Sequence, residues 1–202
     1  DIYPSLIRSD ARLDYESVAA FLDGGDGDDL PEEVLDPLRW ARTAAARIGA
    51  ARTGRGGVRL LREEVKFVLD ADGEPVDAEA RHTNSAHLLI ERLMVAANEA
   101  VARWMHARGL PGVFRVHPAP EPDAVQSLVR SAQLAGFEPG LGAQLSPRAL
   151  AAFEQQFADT PQAPAMYAVL AQALGPARYT VHPESHFGLG APVYLHFTSP
   201  IR

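Results

Sequence analysis

With 202 residues, 47% of them hydrophobic, the chain is long enough to bury a substantial core as one domain or most of one. No apolar run approaches the roughly 20 residues of a membrane span and no basic-then-apolar signal pattern opens the chain, so a soluble cytoplasmic protein without membrane attachment is expected. The absence of cysteine excludes disulfides, thiolate metal sites and cysteine nucleophiles, and a net charge of −7 excludes a generic basic coat for nucleic acid while leaving room for a basic channel inside an acidic shell.

Residues 1–8 read as a short strand or an extended entry, Ile2 to Ile7, with no start signal before it, so the chain looks like a fragment of a longer one. Asp14 then caps a helix whose Val18, Phe21 and Leu22 share one face. The acidic glycine loop at 24–29 lacks the twelve-residue spacing and bidentate Glu of a calcium loop and reads as solvated. Residues 31–51 form an Ala/Arg-rich amphipathic helix offering Leu35, Leu38, Trp40, Ala41, Ala44 and Ile48 for packing. Thr53-Gly54-Arg55-Gly56-Gly57 ends it, and the arginines there read as solvated first and as RNA-backbone contacts second.

Residues 58–70, the turn Asp72-Gly73 and Glu74-Pro75-Val76 form a hairpin pattern. The clearest helix starts after Asn84-Ser85, runs to about Ala107 and is closed by Gly109 and Pro111. It carries Ile90, Leu93, Met94, Ala97, Val101, Trp104 and Met105 at helical spacing. Glu91 and Asn98, seven residues apart, lie on one face at the margin of that stripe; taken by themselves, they read as groups that cap or bridge neighbouring elements. A short strand at 113–118 and helices over about 122–135, 147–157 and 163–174 follow, the second opened by Ser146 as N-cap with Pro147 in the first turn.

Chemistry concentrates in residues 177–202. They read as a strand around Tyr179 to His182, a glycine loop at 185–190 and an extended piece at 193–197 that runs into Thr198-Ser199-Pro200. Pro200 holds Ser199 out of the helical region, so hydroxyls and backbone N–H groups point outward beside the planar cation of Arg202, which suits a phosphate. His182, His186 and His196 suggest a metal, but Pro183 and Gly188 oppose the helix that would bring the first pair together, and hydrogen-bonded or RNA-contacting histidines are the preferred reading. Ser199 sits in no nucleophile elbow.

His186-Phe187-Gly188-Leu189 and the run His196 to Arg202 (HFTSPIR) resemble the matching motifs of the RNase II/RNase R (RNB) family of exoribonucleases. So do ARLDYESV at 11–18, EVKFVLDADG at 64–73, LIERLMVAANEAVA at 89–102 and FRVHPAP at 114–120, which together cover nearly the whole chain. The resemblance implies an α+β fold with a mixed or antiparallel sheet flanked by helices. Residues 1–202 would be the C-terminal part of the catalytic domain, without its upstream aspartate cluster or the segment after HFTSPIR. It further implies a processive 3′→5′ hydrolysis of single-stranded RNA to nucleoside 5′-monophosphates, assisted by Mg²⁺ whose ligands lie upstream, in a protein that is a monomer when complete.

Position by position, Arg202 matches the catalytic arginine that contacts the scissile phosphate, Tyr15 and Glu91 match contacts to the terminal ribose, and His196, Thr198 and Ser199 match backbone contacts. No metal ligand is implied within the chain. Relatives usually carry two acidic residues where this chain has Glu91-Arg92, and often an aromatic where it has Leu60 or Leu61. The alternatives are a catalytically inactive RNB-like protein that binds RNA or a partner, and an unrelated hydrolase or metal protein built on the three histidines.

Overall fold

Side-chain caps set the helix starts. In the computed structural model, which describes residues 2–58, 64–70, 73–81, 83–142 and 145–198, Asp14 accepts the N–H of Ser17 at 2.8 Å, Asn84 that of His87 at 3.0 Å, and Ser146 that of Ala149 at 3.1 Å. Each cap satisfies a backbone donor that the first helical turn leaves unpaired. The helices so opened are α1 (Tyr15–Leu22), α3 (Ser85–His106) and α5 (Pro147–Phe157); α2 (Glu32–Gly54), α4 (Pro122–Leu134) and α6 (Ala163–Leu174) complete the set among the described residues.

The strands form two antiparallel ribbons, β1 (Glu64–Leu69) with β2 (Pro75–Arg81) and β3 (Phe114–Val116) with β4 (Arg178–Thr180). This is the expected α+β class with antiparallel pairing. Asp72 of the expected hairpin turn, and Leu60 and Leu61, lie outside the described residues.

Apolar burial falls into three groups. Leu128, Leu150, Phe153, Phe157 and Leu170 bind α4, α5 and α6 together; Val18, Phe21, Leu22, Ala45 and Leu89 join α1, α2 and α3; Ala102, Phe114, Val116, Val193 and Leu195 seat β3 and residues 193–195 against α3. Helix α3 takes part in the second and third of these groups, so it joins α1 and α2 to β3 and residues 193–195.

Three expectations change. Residues 2–7 form no strand: they pair with no strand among the described residues, and Leu6 and Ile7 are exposed. Trp40 is 71% exposed, because it lies about 200° around the helix from Leu38, which with Ala41 and Ala45 faces α1 and α3. On α3 the buried positions are Ala86, Leu89, Asn98, Glu99 and Ala102, while the expected stripe is half-buried and Ile90 exposed. A helix flanked on several sides has no single apolar face, and small residues mark where neighbours approach.

Candidate functional site

The polar face of α3 organises the candidate residues. Asn84, His87, Glu91 and Asn98 follow one another by three, four and seven residues, so their side chains project from one face. At 1.5 Å rise per residue the stretch from His87 to Asn98 is about 16 Å long.

At its start Tyr15 lies on His87 with ring centroids 3.8 Å apart and planes 10° from parallel. Asn84 orients the histidine: its Oδ1 accepts both the His87 backbone N–H and, at 2.7 Å, the Nδ1 proton. The backbone donor identifies that atom as oxygen and therefore fixes the tautomer with hydrogen on Nδ1. Nδ2 of Asn84 donates to the Tyr15 carbonyl at 3.2 Å, which ties α1 to α3.

One turn further along, the Arg52 guanidinium donates to Glu91 at 2.9 Å and to the Val58 carbonyl at 3.3 Å. The Glu91 side chain is 44% exposed and that of Arg52 only 13%. Arg55 donates to both oxygens of Glu99 at 3.0 Å, and Arg103 adds a third contact at 3.3 Å. The expectation of solvated arginines at the glycine turn is corrected for Arg52, which is 13% exposed against Glu91, while Arg55 stays 43% exposed and pairs with Glu99 from the surface.

The glycine turn also meets the loop at 186–190. Val58 donates its N–H to the Gly188 carbonyl at 2.9 Å, and a Cβ on Gly190, which has φ of +60°, would stand 2.9 Å from the Arg55 carbonyl oxygen. A Cβ on Gly188 would stand 2.9 Å from Nδ1 of His117. The two glycines of HFGLG are thus demanded by backbone and ring approaches.

From His117 a chain of edge-on rings crosses the second ribbon: His117 to His186 at 5.1 Å, His186 to Tyr194 at 5.4 Å, Tyr194 to His196 at 5.6 Å and His196 to Tyr179 at 5.7 Å. The Tyr179 hydroxyl and Nδ1 of His196 are hydrogen-bonded at 2.8 Å, and the Arg115 guanidinium lies 4.6 Å over the Tyr179 ring. Burial, then the neighbouring positive charges of His117 and Arg115, pushes His186 down to about 3. Burial and Arg115 also hold His196 below the usual imidazole range. Nothing in the sequence singled out His117, which is buried with Nε2–H directed at the Leu174 and Gly175 carbonyls at 3.0 and 3.2 Å.

These placements do not make a metal centre. His186 and His196 are held in the ring chain and His182 stands exposed outside it; among the described residues no three His, Asp or Glu side chains are grouped to hold a metal ion. The described residues thus do not fit a metal.

At the far end of the α3 face Asn98 grips the last described residues. Its Oδ1 accepts the backbone N–H groups of Phe197 and Thr198, both at 2.9 Å, and the Thr198 hydroxyl at 3.2 Å, while Nδ2 donates to the Tyr194 hydroxyl at 3.0 Å. Asn98 does bridge elements, as its position suggested. Both donors of Thr198 therefore point inward. Ser199 and Arg202 lie outside the described residues. The structure thus attaches Tyr15 and Thr198, through His87 and Asn98, to the face that carries Glu91, and sets His196 on the ribbon beside Tyr179.

The family model described as RNB domain matches residues 1–202. Ribonuclease R of Thermotoga maritima is 34% identical over 203 residues, taking in 100% of this chain and 29% of that protein. Ribonuclease R of Escherichia coli is 33% identical over 203 residues, with 99% of this chain and 25% of that protein covered. The structure of Mycoplasma genitalium RNase R in complex with ribose methylated single-stranded RNA superposes with a TM-score of 0.85 and 32% identity, over 93% of this chain and 30% of that one. The chain spans under a third of the length of these relatives. With the family model matching residues 1–202, relatives above 30% identity along the chain and a fold match over 93% of it, the chain belongs to the RNB family.

Proposed function

We propose that residues 1–202 are part of a processive 3′→5′ exoribonuclease that hydrolyses single-stranded RNA to nucleoside 5′-monophosphates, and that they supply the half of its site that positions the RNA end and stabilises the phosphate. The observation that carries this reading is the attachment of Tyr15, Glu91 and Phe197-Thr198, the residues that lead into the rest of the HFTSPIR motif, to one face of α3. Similarity to ribonuclease R along the whole segment supports it.

The Glu91 carboxylate keeps acceptor capacity beyond its bond to Arg52, and with the Tyr15 hydroxyl it suits the 2′-OH of a terminal ribose, the group that distinguishes RNA from DNA. His196 and Ser199 contact the backbone. Thr198, its donors committed to Asn98, holds its strand in place and presents only hydroxyl lone pairs outward. Arg202 matches two phosphate oxygens with its planar fork and stabilises charge that develops as the bond breaks. Mg²⁺, held by carboxylates of the larger protein outside this segment, supplies water activation and charge neutralisation when bound. No helix among the described residues is long and apolar enough to cross a membrane, and a cytoplasmic monomer completes the reading.

The test uses the full-length parent protein with 5′-labelled single-stranded RNA and Mg²⁺. The expected result is conversion of full-length RNA to a short 5′-labelled end product without accumulated intermediates, with nucleoside 5′-monophosphates released from the 3′ end, slowed at least about 100-fold by Arg202→Ala. RNA that is bound yet uncut with Mg²⁺ or Mn²⁺ would establish the inactive RNA-binding alternative instead.

A further inference from the structure

Asn98 spends its hydrogen bonds in an unusual way for a helix residue. It is 4% exposed, and one amide oxygen receives two consecutive backbone N–H groups and a hydroxyl, all from Phe197 and Thr198. Successive N–H groups that converge on one oxygen form the concavity in which proteins often bind an anion. Here the chain fills it with its own amide, so these donors are not available to a phosphate. The other end of the amide is fixed by the buried Tyr194 hydroxyl, which leaves Asn98 no freedom to swing away.

We propose that Asn98 is a positioning residue for Arg202: it tethers to α3 Phe197 and Thr198, the residues that precede Ser199-Pro200-Ile201-Arg202 in the chain. The proposal rests on the reading of Arg202 as the phosphate-contacting residue. Only three residues, Ser199, Pro200 and Ile201, separate Thr198 from Arg202 in the chain, so a fixed Thr198 shortens the free length of chain before the arginine. Helix α3 carries Glu91 about two turns from its start and Asn98 seven residues on, so one rigid element spaces the ribose-contacting carboxylate from the residue that holds Phe197 and Thr198. A displacement of about 1 Å at a reacting centre can cost on the order of 100-fold in rate without a matching loss of binding.

The experiment is a double-mutant cycle in the full-length parent, with kcat read in single turnover and RNA affinity read separately without divalent metal. Asn98→Leu is expected to lower kcat about 100-fold while RNA affinity stays within about threefold. Asn98→Asp keeps every acceptor, and the Tyr194 hydroxyl can turn to donate, so kcat is expected within about tenfold of the parent. Combining Asn98→Leu with Arg202→Ala is expected to be no slower than Arg202→Ala alone, within about threefold, because a tether acting through Arg202 has nothing left to position. Should Asn98→Leu fail to fold, Thr198→Val against Thr198→Ser reads the same tether: the valine variant is expected to lose about three- to tenfold in kcat and the serine variant to match the parent.

Additive losses in the cycle, or an unchanged kcat in Asn98→Leu, overturn the proposal and leave Asn98 as packing alone, with the assignment of Arg202 intact. An unchanged kcat in Arg202→Ala overturns that assignment and the tether together.

Discussion

The guanidinium of Arg52, near the end of α2, reaches the carboxylate of Glu91 on α3 at 2.9 Å, and the arginine is the more deeply buried partner. The pair makes Glu91 a fixed acceptor rather than a mobile surface acid. With Glu91 nearly half exposed, the ion pair itself contributes little stability, on the order of 0.5 kcal/mol. Its effect is expected in selectivity. Arg52→Met should lower the preference for a 3′-terminal ribonucleotide over a 2′-deoxynucleotide by about tenfold in kcat/KM, since an unanchored carboxylate pays to be ordered on the ribose. Exonuclease assays on paired oligonucleotides ending in a 3′-terminal ribonucleotide or a 3′-terminal 2′-deoxynucleotide read this ratio, and an unchanged ratio would show that Arg52 does not act through Glu91.

Tyr15 divides into a ring and a hydroxyl with separable tasks. The ring stacks on His87 and stabilises the α1–α3 junction, an effect worth about 1 kcal/mol. Tyr15→Phe is expected to leave the urea midpoint unchanged and raise KM for RNA several-fold, whereas Tyr15→Ala should lower both stability and affinity. Equal KM values for the parent and the Phe variant would remove the hydroxyl from the RNA contacts.

Sequence reading located most helices to within a residue or two because their caps are local: Asp14, Asn84 and Ser146 each bond a donor three residues on. It found the HFGL and HFTSPIR motifs because their residues are contiguous. Long-range partners were not legible. Nothing local tells Arg52 and Arg55 that carboxylates 39 and 44 residues away will pair with them. Asn98 stood out only as a polar residue beside an apolar stripe, and that it would take both donors of Thr198, 100 residues on, required the fold. Trp40 misled for the opposite reason, since its size suggested packing while the helix rotation placed it outside.

Glu99 depends on its two arginines. It is 4% exposed with Arg55 and Arg103 as partners, both substantially exposed themselves. Arg55→Met should cost about 1–2 kcal/mol in urea unfolding, less than the full penalty of an unpaired buried charge because Arg103 and nearby water remain. Arg55→Met with Glu99→Gln should recover part of that loss. A double variant less stable than Arg55→Met would mean that Glu99 is held by something other than charge pairing.

His186 gives the fold a defined response to acid. Its ordinary value near 6.5 is lowered to about 3 in the folded chain by burial and by the positive charges of His117 and Arg115. The folded state therefore keeps His186 neutral where the unfolded state takes up a proton. Stability from this group is fully present above pH 6.5 and is lost as the pH falls from there toward 3, with a slope approaching about 1.4 kcal/mol per pH unit. His196, also lowered, adds to the loss in the same direction. His186→Phe keeps a ring against His117 and Tyr194 and removes a buried Nδ1 that has no hydrogen-bond partner among the described residues. At pH 8 the variant should be about as stable as the parent. Between pH 6.5 and 5 its unfolding free energy should fall less steeply, by about one proton's worth of slope. Urea titrations at closely spaced pH values measure both slopes, and parallel lines for the parent and the variant would mean that His186 is not the residue that takes up the proton.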